Sequence, residues 1–344
     1  MAPEFCAQGH EVLVVARSEP GQAQAERLQG VRYFRVRGSD TGRSRVTNYT
    51  SGLFAAVRAS SHMPEADVYI TNDVFSPWIM AGRGRAERTL VAVGRTPKLH
   101  FRWYSEKLNF AVPTRAIQNA LAIIAPKLVR KTAVLPYAID TDIFSPKEIS
   151  SPSHNDRFLF VGRIHPEKGL DLLISAFEKL LEYYPHIQLV IAGPSEGSEG
   201  GGGSAYLKRL QAMSAHLPIE WLNPIYRPRD LASLYRSCAW FVYPSVAEQG
   251  ETFGVAPLEA MACGCTPIVS KLPCFEDFIN SPANGFIFDH HSRDPATALA
   301  LAMREAKQSA SPTTQLRARA TAEHFSIKVV AMRWLKHLEE MVVK

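Results

Sequence analysis

The stretch from Tyr243 to Ser270, YPSVAEQGETFGVAPLEAMACGCTPIVS, constrains the fold more than any other part of the chain. It opens on the end of an apolar run, Trp240-Phe-Val-Tyr243, which reads as a buried strand. Pro244 and Ser245 end that strand, and a polar loop follows with Glu248 and Glu251. Gly254 to Cys263 reads as a short helix, stopped by Gly264 in the left-handed region. Thr266-Pro-Ile-Val-Ser270 begins the next strand. Strands alternating with helical patterns predict a parallel sheet covered on both faces.

Glu251 precedes the predicted helix and Glu259 lies within it. Eight positions is a little over two helical turns, so the two carboxylates can share one side of the element. The backbone N–H groups of Phe253, Gly254 and Val255 stand at the helix start, where phosphate or sugar oxygens are attracted. Carboxylates beside such an anion site suit a ligand that is anionic at one end and rich in hydroxyls, as a sugar nucleotide is. The same spacing also occurs on the solvated face of an ordinary capped helix. The wider motif narrows the choice. Glu251-Thr-Phe-Gly-Val-Ala-Pro-Leu-Glu259-Ala-Met-Ala-Cys-Gly264 closely resembles the E-x-F-G-x-x-x-x-E-A-M-A-x-G signature of the retaining glycosyltransferases of the GT-B fold, family 4.

A second motif agrees. Phe158-Leu-Phe-Val161 reads as a strand, and residues 169–183 as an amphipathic helix. Between them lies Gly162-Arg-Ile-His-Pro-Glu-Lys-Gly169, a glycine turn of the kind that receives phosphate. Arg163 brings a planar fork of donors and Lys168 a point charge. The segment resembles the family's G-R-x-x-x-x-K-G motif, in which the two cations hold the nucleotide diphosphate. The resemblance implies two Rossmann-like domains with parallel sheets facing across a cleft. Arg163, Lys168 and Glu251 are then the catalytic candidates. Glu259 would take ribose hydroxyls, joined in donor binding by Gly162, Phe253, Gly254 and Val255. Glu220-Trp-Leu-Asn-Pro-Ile-Tyr226 resembles the family strand whose end meets the base, which adds Ile225 and Tyr226.

The first half reads as its own strand series: Glu11–Arg17, Val31–Arg37, Asp67–Thr71, Thr89–Val93, Ala122–Ala125 and Thr132–Leu135, with a helix over 48–60. Gln8-Gly9-His10 reads as a helix end with Gly9 as the stop. In the family, "GHEV" opens the second strand. The family's first strand and Gly-rich loop have no counterpart before it, so Glu11–Arg17 is expected to have an open edge or to pair elsewhere. Ligands of doubly wound sheets bind beyond the carboxyl ends of the strands. Asn72, Asp73, Arg95, Lys98 and His100 fall at such ends and are the acceptor-side candidates. The family often has a histidine where this chain has Gly94-Arg95. Arg95 and Lys98 fit an anion clamp or ordinary surface charge, and His100 a site residue or a surface one. Phe101 to Phe110 mixes aromatic and basic residues, which suits a membrane interface or lipid-linked acceptor, or a helix packed over the sheet.

Further along, Gln188–Gly193 reads as a strand, Gly197–Ser204 as a mobile loop, 229–237 as a helix, and Asn284–Phe288 as the family's final strand. Leu135–Pro146 resembles the family's interdomain segment through its Pro, Asp140 and Phe144, and the polar residues 145–156 form a linker. Two helices close the chain. The expected division is an acceptor-side domain over 1–145, a sugar-nucleotide domain over 146–325, and a helix over 326–344 returning to the first domain.

Charge is uneven. Residues 1–150 hold 20 Lys and Arg against 13 Asp and Glu, and the rest hold 19 against 20. The basic first half predicts an anionic partner, a membrane surface or a lipid diphosphate. No motif points to nucleic acid. The five cysteines, odd in number and set in apolar sequence, fit reduced thiols in a cytoplasmic protein. Cys263-Gly-Cys265 fits small buried residues better than a zinc knuckle. No cofactor or metal is expected, because the nucleotide sugar is a co-substrate and the cations can neutralise its diphosphate. The functional expectation is hexose transfer from a nucleotide sugar, UDP-glucose first and GDP-mannose next. The acceptor would be a saccharide or lipid-linked glycan precursor. An epimerase of similar build and a catalytically inactive sugar-nucleotide-binding subunit are the alternatives.

Overall fold

The computed structural model describes residues 1–18, 21–36, 45–146, 156–309 and 311–343. The chain divides into two compact units, one of Met1–Ala138 with Ile327–Lys344 and one of Ile139–Ser326. Most of the expected 145–156 linker lies outside the described residues.

The second unit is built on one sheet. Its strands are β8 (Arg157–Val161), β9 (Gln188–Ala192), β10 (Ile219–Leu222), β11 (Trp240–Tyr243), β12 (Thr266–Ser270) and β13 (Phe286–Phe288). They lie in the order β10-β9-β8-β11-β12-β13, and every pairing is parallel. The order is that of a doubly wound dinucleotide-binding sheet, which reverses direction between its first and fourth strands. Here that switch point falls between β8 and β11. The central strands are apolar on both faces, as a covered parallel sheet requires. All of β11 and β12 is buried. Phe160 and Tyr243 stack across the switch point with ring centroids 5.8 Å apart. The crossover helices include α5 (Leu170–Leu181), α6 (Ser204–Met213), α7 (Pro228–Arg236) and α8 (Val255–Ala262). The α5 face made by Leu170, Leu173, Ile174 and Phe177 is fully buried and follows the helical period.

Cys238, Cys263, Cys265 and Cys274 are buried and all five cysteines are free thiols. Burial pushes the Cys263 thiol up to about 12, so these are packing residues. Three helices close the chain where two were expected: α9 (Pro295–Ser309), α10 (Pro312–Glu323) and α11 (Ile327–Val342). Pro312 follows the Ser311 capping box and starts a new helix there. Arg319 of α10 donates to the carbonyls of Phe144 and Ala262, at 2.8 and 2.9 Å, and so ties the segment after Ile139 to the end of α8.

The first unit holds two sheets among the described residues. Strands β1 (Leu13–Arg17), β2 (Ala25–Leu28) and β3 (Val31–Val36) form one, in the order β1-β3-β2. The other, β4 (Tyr69–Thr71), β5 (Thr89–Ala92), β6 (Asn109–Val112) and β7 (Thr132–Val134), is parallel throughout. Helix α1 (Ala2–Ala7) ends before Gly9 at φ +91°. Strand β1 pairs with β3 alone among the described residues, and Leu13–Ala16 are only half-buried.

Three features of this unit differ from the sequence reading. Strand β2 was not foreseen; it pairs antiparallel with β3 through the tight turn at Gln29 and Gly30, both at positive φ. Ala122–Ala125 is not a strand, because 122–124 complete helix α4 (Arg115–Ile124). Thr114 caps that helix, and buried Ile117 and Leu121 set a helical stripe four residues apart. The Phe101–Phe110 segment is not one helix either. It is a 3-10 turn at Leu99–Trp103 and the start of β6, with Phe101, Tyr104, Leu108 and Phe110 packed in the core.

Candidate active site

The loops after β8 and β11 leave the sheet on either side of the switch point. One glycine lets them meet, and a second lets the end of β9 pack on the loop after β8. Gly169 sits at φ +69°, and a Cβ there would lie 2.1 Å from the Pro244 carbonyl oxygen at the end of β11. Gly193, after β9, leaves no room for a Cβ beside the Gly162 carbonyl, at 1.8 Å. Backbone bonds then join the two loops, with Val246 N donating to Glu167 O at 2.9 Å. Ser245 Oγ donates to the same carbonyl at 3.3 Å.

This arrangement brings Lys168 and Glu251 together. Lys168 Nζ lies 2.6 Å from Glu251 Oε2, with the side chains 6% and 11% exposed. The ammonium also stands 5.2 Å from the centroid of the Tyr243 ring. Burial, with the Glu251 carboxylate alongside, pushes the Tyr243 hydroxyl well above its ordinary range. Arg163 joins from the start of the same loop. Its Nη1 donates to Gly200 O at 2.9 Å, and its Nη2 pairs with Glu167. The segment read as a mobile loop is therefore stitched in place. It contains a 3-10 turn at Gly197–Glu199, and Gly202 N donates to Ile164 O at 2.8 Å.

Glu259 projects from α8 and accepts a hydrogen bond from the Tyr235 hydroxyl at 3.2 Å. Desolvation raises its carboxyl to about 7, with the Tyr235 bond opposing the shift. The two motif glutamates thus have different partners, a cation for one and a phenol for the other. Gly254, at φ +101°, caps α8 without a side-chain hydrogen bond, and a Cβ there would meet the Phe275 ring at 2.6 Å. Phe253 is buried among aromatic rings and Val255 is exposed. Ile225 and Tyr226 follow β10, the former half-buried and the latter exposed with its hydroxyl on Glu199.

The acceptor-side candidates belong to the other unit. Asn72 and Asp73 follow β4, and Asp73 Oδ1 accepts the N–H groups of Phe75 and Ser76, both at 2.8 Å. That carboxylate is engaged at the start of α3 (Ser76–Gly82). Arg95 and Lys98 are exposed on the segment after β5. His100 packs on the Phe101 and Tyr104 rings, and burial with the Lys98 charge lowers its pKa. Asp140-Thr-Asp142 has the Asp-x-Asp spacing associated with metal-dependent transferases, a signal overlooked in reading the sequence. Asp140 Oδ1 accepts the N–H groups of Asp142 and Ile143 at 3.1 and 3.0 Å, so it shapes a turn.

Three comparisons bear on this geometry. The family model described as "Glycosyl transferases group 1" matches residues 142–323, more than half of the chain. The chain is similar to D-inositol 3-phosphate glycosyltransferase of Corynebacterium jeikeium, 32% identical over 47% of this chain and 40% of that protein. The like-named protein of Geodermatophilus obscurus is 29% identical over 62% of this chain and 50% of that one. The chain thus spans half or less of the length of these relatives. Among solved structures, sucrose-phosphate synthase from Thermosynechococcus elongatus superposes with a TM-score of 0.79 at 18% identity, covering 99% of this chain and 92% of that one. Anabaena HepE in complex with UDP gives 0.73 at 17% identity, covering 96% of this chain and all of the other. The fold is GT-B.

Proposed function

Because the chain belongs to the glycosyl transferases group 1 family, we propose that it transfers a hexose from a nucleotide sugar to a saccharide or lipid-linked acceptor, with retention of anomeric configuration. The observation that carries this reading is the convergence of Arg163, Lys168 and Glu251 at the carboxyl ends of β8 and β11. A diphosphate at the switch point meets Lys168 in place of, or together with, Glu251. Arg163 adds the forked donor. When the anomeric C–O bond breaks, the electron pair leaves with the nucleoside diphosphate. Charge grows on its oxygens, and two cations, Lys168 buried and Arg163 half-exposed, stabilise that charge. These cations supply the role a divalent metal has elsewhere, so transfer is proposed to be metal-independent. Glu251, displaced from Lys168, is free to accept sugar hydroxyls. Glu259, held by Tyr235, is the ribose group, and Ile225 with Tyr226 borders the base.

UDP-glucose is the preferred donor and GDP-mannose the next. UDP in the HepE complex supports a uridine nucleotide. No helix among the described residues is long and apolar enough to cross a membrane. We place the protein in the cytoplasm, with peripheral contact through the basic first half as a further proposal. A thermal-shift panel of nucleotide sugars tests the donor. A true donor at 100 times its Kd adds ~2.7 kcal/mol of stability, and release of free nucleotide then separates a transferase from an inactive binding subunit.

A further inference from the structure

Three residues before Glu251, the loop after β11 meets the loop after β13 through three side chains. Glu248 Oε1 lies 2.7 Å from His290 Nε2 and 2.7 Å from His291 Nε2. The three ligand-capable atoms are all within 4.8 Å of one another, and the imidazole centroids are 4.1 Å apart. Two adjacent imidazoles converging on one carboxylate oxygen is an unusual use of donors. Each Nε2 needs a proton to donate to that oxygen, yet all three atoms are also lone-pair donors to a cation.

We propose that Glu248, His290 and His291 form a binding site for a divalent transition cation, Zn2+ being the natural fit. Two imidazoles and one carboxylate are a ligand set that suits such ions. Metal–ligand bonds of ~2.0–2.2 Å in a tetrahedron hold ligand atoms roughly 3.3 Å apart. The two 2.7 Å contacts to Glu248 need to open by only about half an ångström, each imidazole carrying its proton on Nδ1 once Nε2 binds the ion. His290 is anchored, its side chain 3% exposed, while His291 and Glu248 are open to solvent at 68% and 48%. The site therefore has a rigid ligand, two adjustable ones and a solvent face for a water in the fourth position. The Nδ1 atom of His290 is buried without a hydrogen-bond partner, so no outer group supports that ring as a ligand. A ligating histidine without an outer partner binds more weakly, by the ~10–100-fold that loss of such a partner produces. This predicts a site of modest affinity. Its effect is mechanical: the ion would pin the segment that also carries Glu251 to the end of β13.

The test is titration of the untagged, reduced protein with Co2+, read by its visible absorption, and with Zn2+, read by thermal shift. The wild-type protein should bind one Co2+ per chain and melt at a higher temperature with Zn2+. His291→Ala and Glu248→Gln, both at exposed positions, should each weaken Co2+ binding at least 10-fold and abolish the Zn2+ shift. Cys6→Ser, in the other unit, should change neither. Absence of Co2+ binding in the wild type, or unchanged affinity in either cluster variant, overturns the assignment.

Discussion

Lys168 and Glu251 stand 83 positions apart in sequence and meet at 2.6 Å, one on the loop after β8 and the other on the loop after β11. The pair closes the switch point of the sheet with two opposite charges that are almost out of water. Removing one partner of such a pair leaves an uncompensated buried charge, which costs about 3–5 kcal/mol. Lys168→Met should therefore destabilise the ligand-free protein by about 3 kcal/mol. The double variant Lys168→Met/Glu251→Leu should recover much of that loss. Denaturant unfolding of the two single variants and the double one gives the coupling; strictly additive losses would contradict a direct pair.

The proposed mechanism gives the two motif glutamates different tasks. Glu251→Gln removes the charge that, in the proposed mechanism, competes with phosphate for Lys168. It should leave UDP affinity unchanged or higher while transfer falls steeply. Glu259→Gln should weaken UDP itself. Calorimetry with free UDP separates the two, and equal losses in both variants would sink this division.

Glu259 also makes a signed pH prediction. Its folded carboxyl is raised to about 7 from an ordinary 4.5. The folded state then holds a proton that the unfolded state gives up earlier. The associated stability is fully present below pH 4.5 and is lost as pH rises towards 7. The penalty above that window reaches about 3 kcal/mol at most. Glu259→Gln should flatten this dependence and stabilise the ligand-free protein at pH 8 while weakening nucleotide binding. Parallel pH profiles in the two proteins would show that the carboxyl is not shifted.

The first unit offers an anionic surface a mixture of cations and exposed apolar groups. Phe54, Trp103 and Ile123 are 75%, 76% and 80% exposed, and exposed Lys98 and Arg102 lie close in sequence to Trp103. Sedimentation with anionic vesicles should show binding at low salt that weakens as salt rises. An absence of binding at low salt leaves a soluble acceptor.

Most of the second unit was legible in the sequence because β8, β9, β11 and β12 are short apolar runs bounded by turn residues, while β10 and β13 were placed by resemblance to the family's strands. The motif residues also lie on the loops and the helix that follow β8 and β11, the two strands that flank the switch point. What could not be read was pairing. Nothing in the separate motifs says that Lys168 rests on Glu251, since Gly169 must first let its turn reach Pro244. The first unit was harder. The apolar Ala122–Ala125 run satisfies both a strand and the last turn of a helix, and only the cap at Thr114 with the Ile117–Leu121 stripe decides. Strand β2, with the polar sequence AERL, has no apolar signal of its own and exists because Gln29-Gly30 turns it onto β3. The Glu248, His290 and His291 cluster joins residues more than forty positions apart and had no motif to announce it.

The central claim is that Arg163 and Lys168 stabilise the charge developing on the departing nucleoside diphosphate. It is tested most directly by kcat/KM for transfer from the identified donor, measured in Arg163→Ala and Lys168→Ala at a temperature where both remain folded. The predicted result is a fall of roughly 10²-fold or more in each, with the loss carried by kcat. Unchanged kcat/KM in both variants would contradict the account.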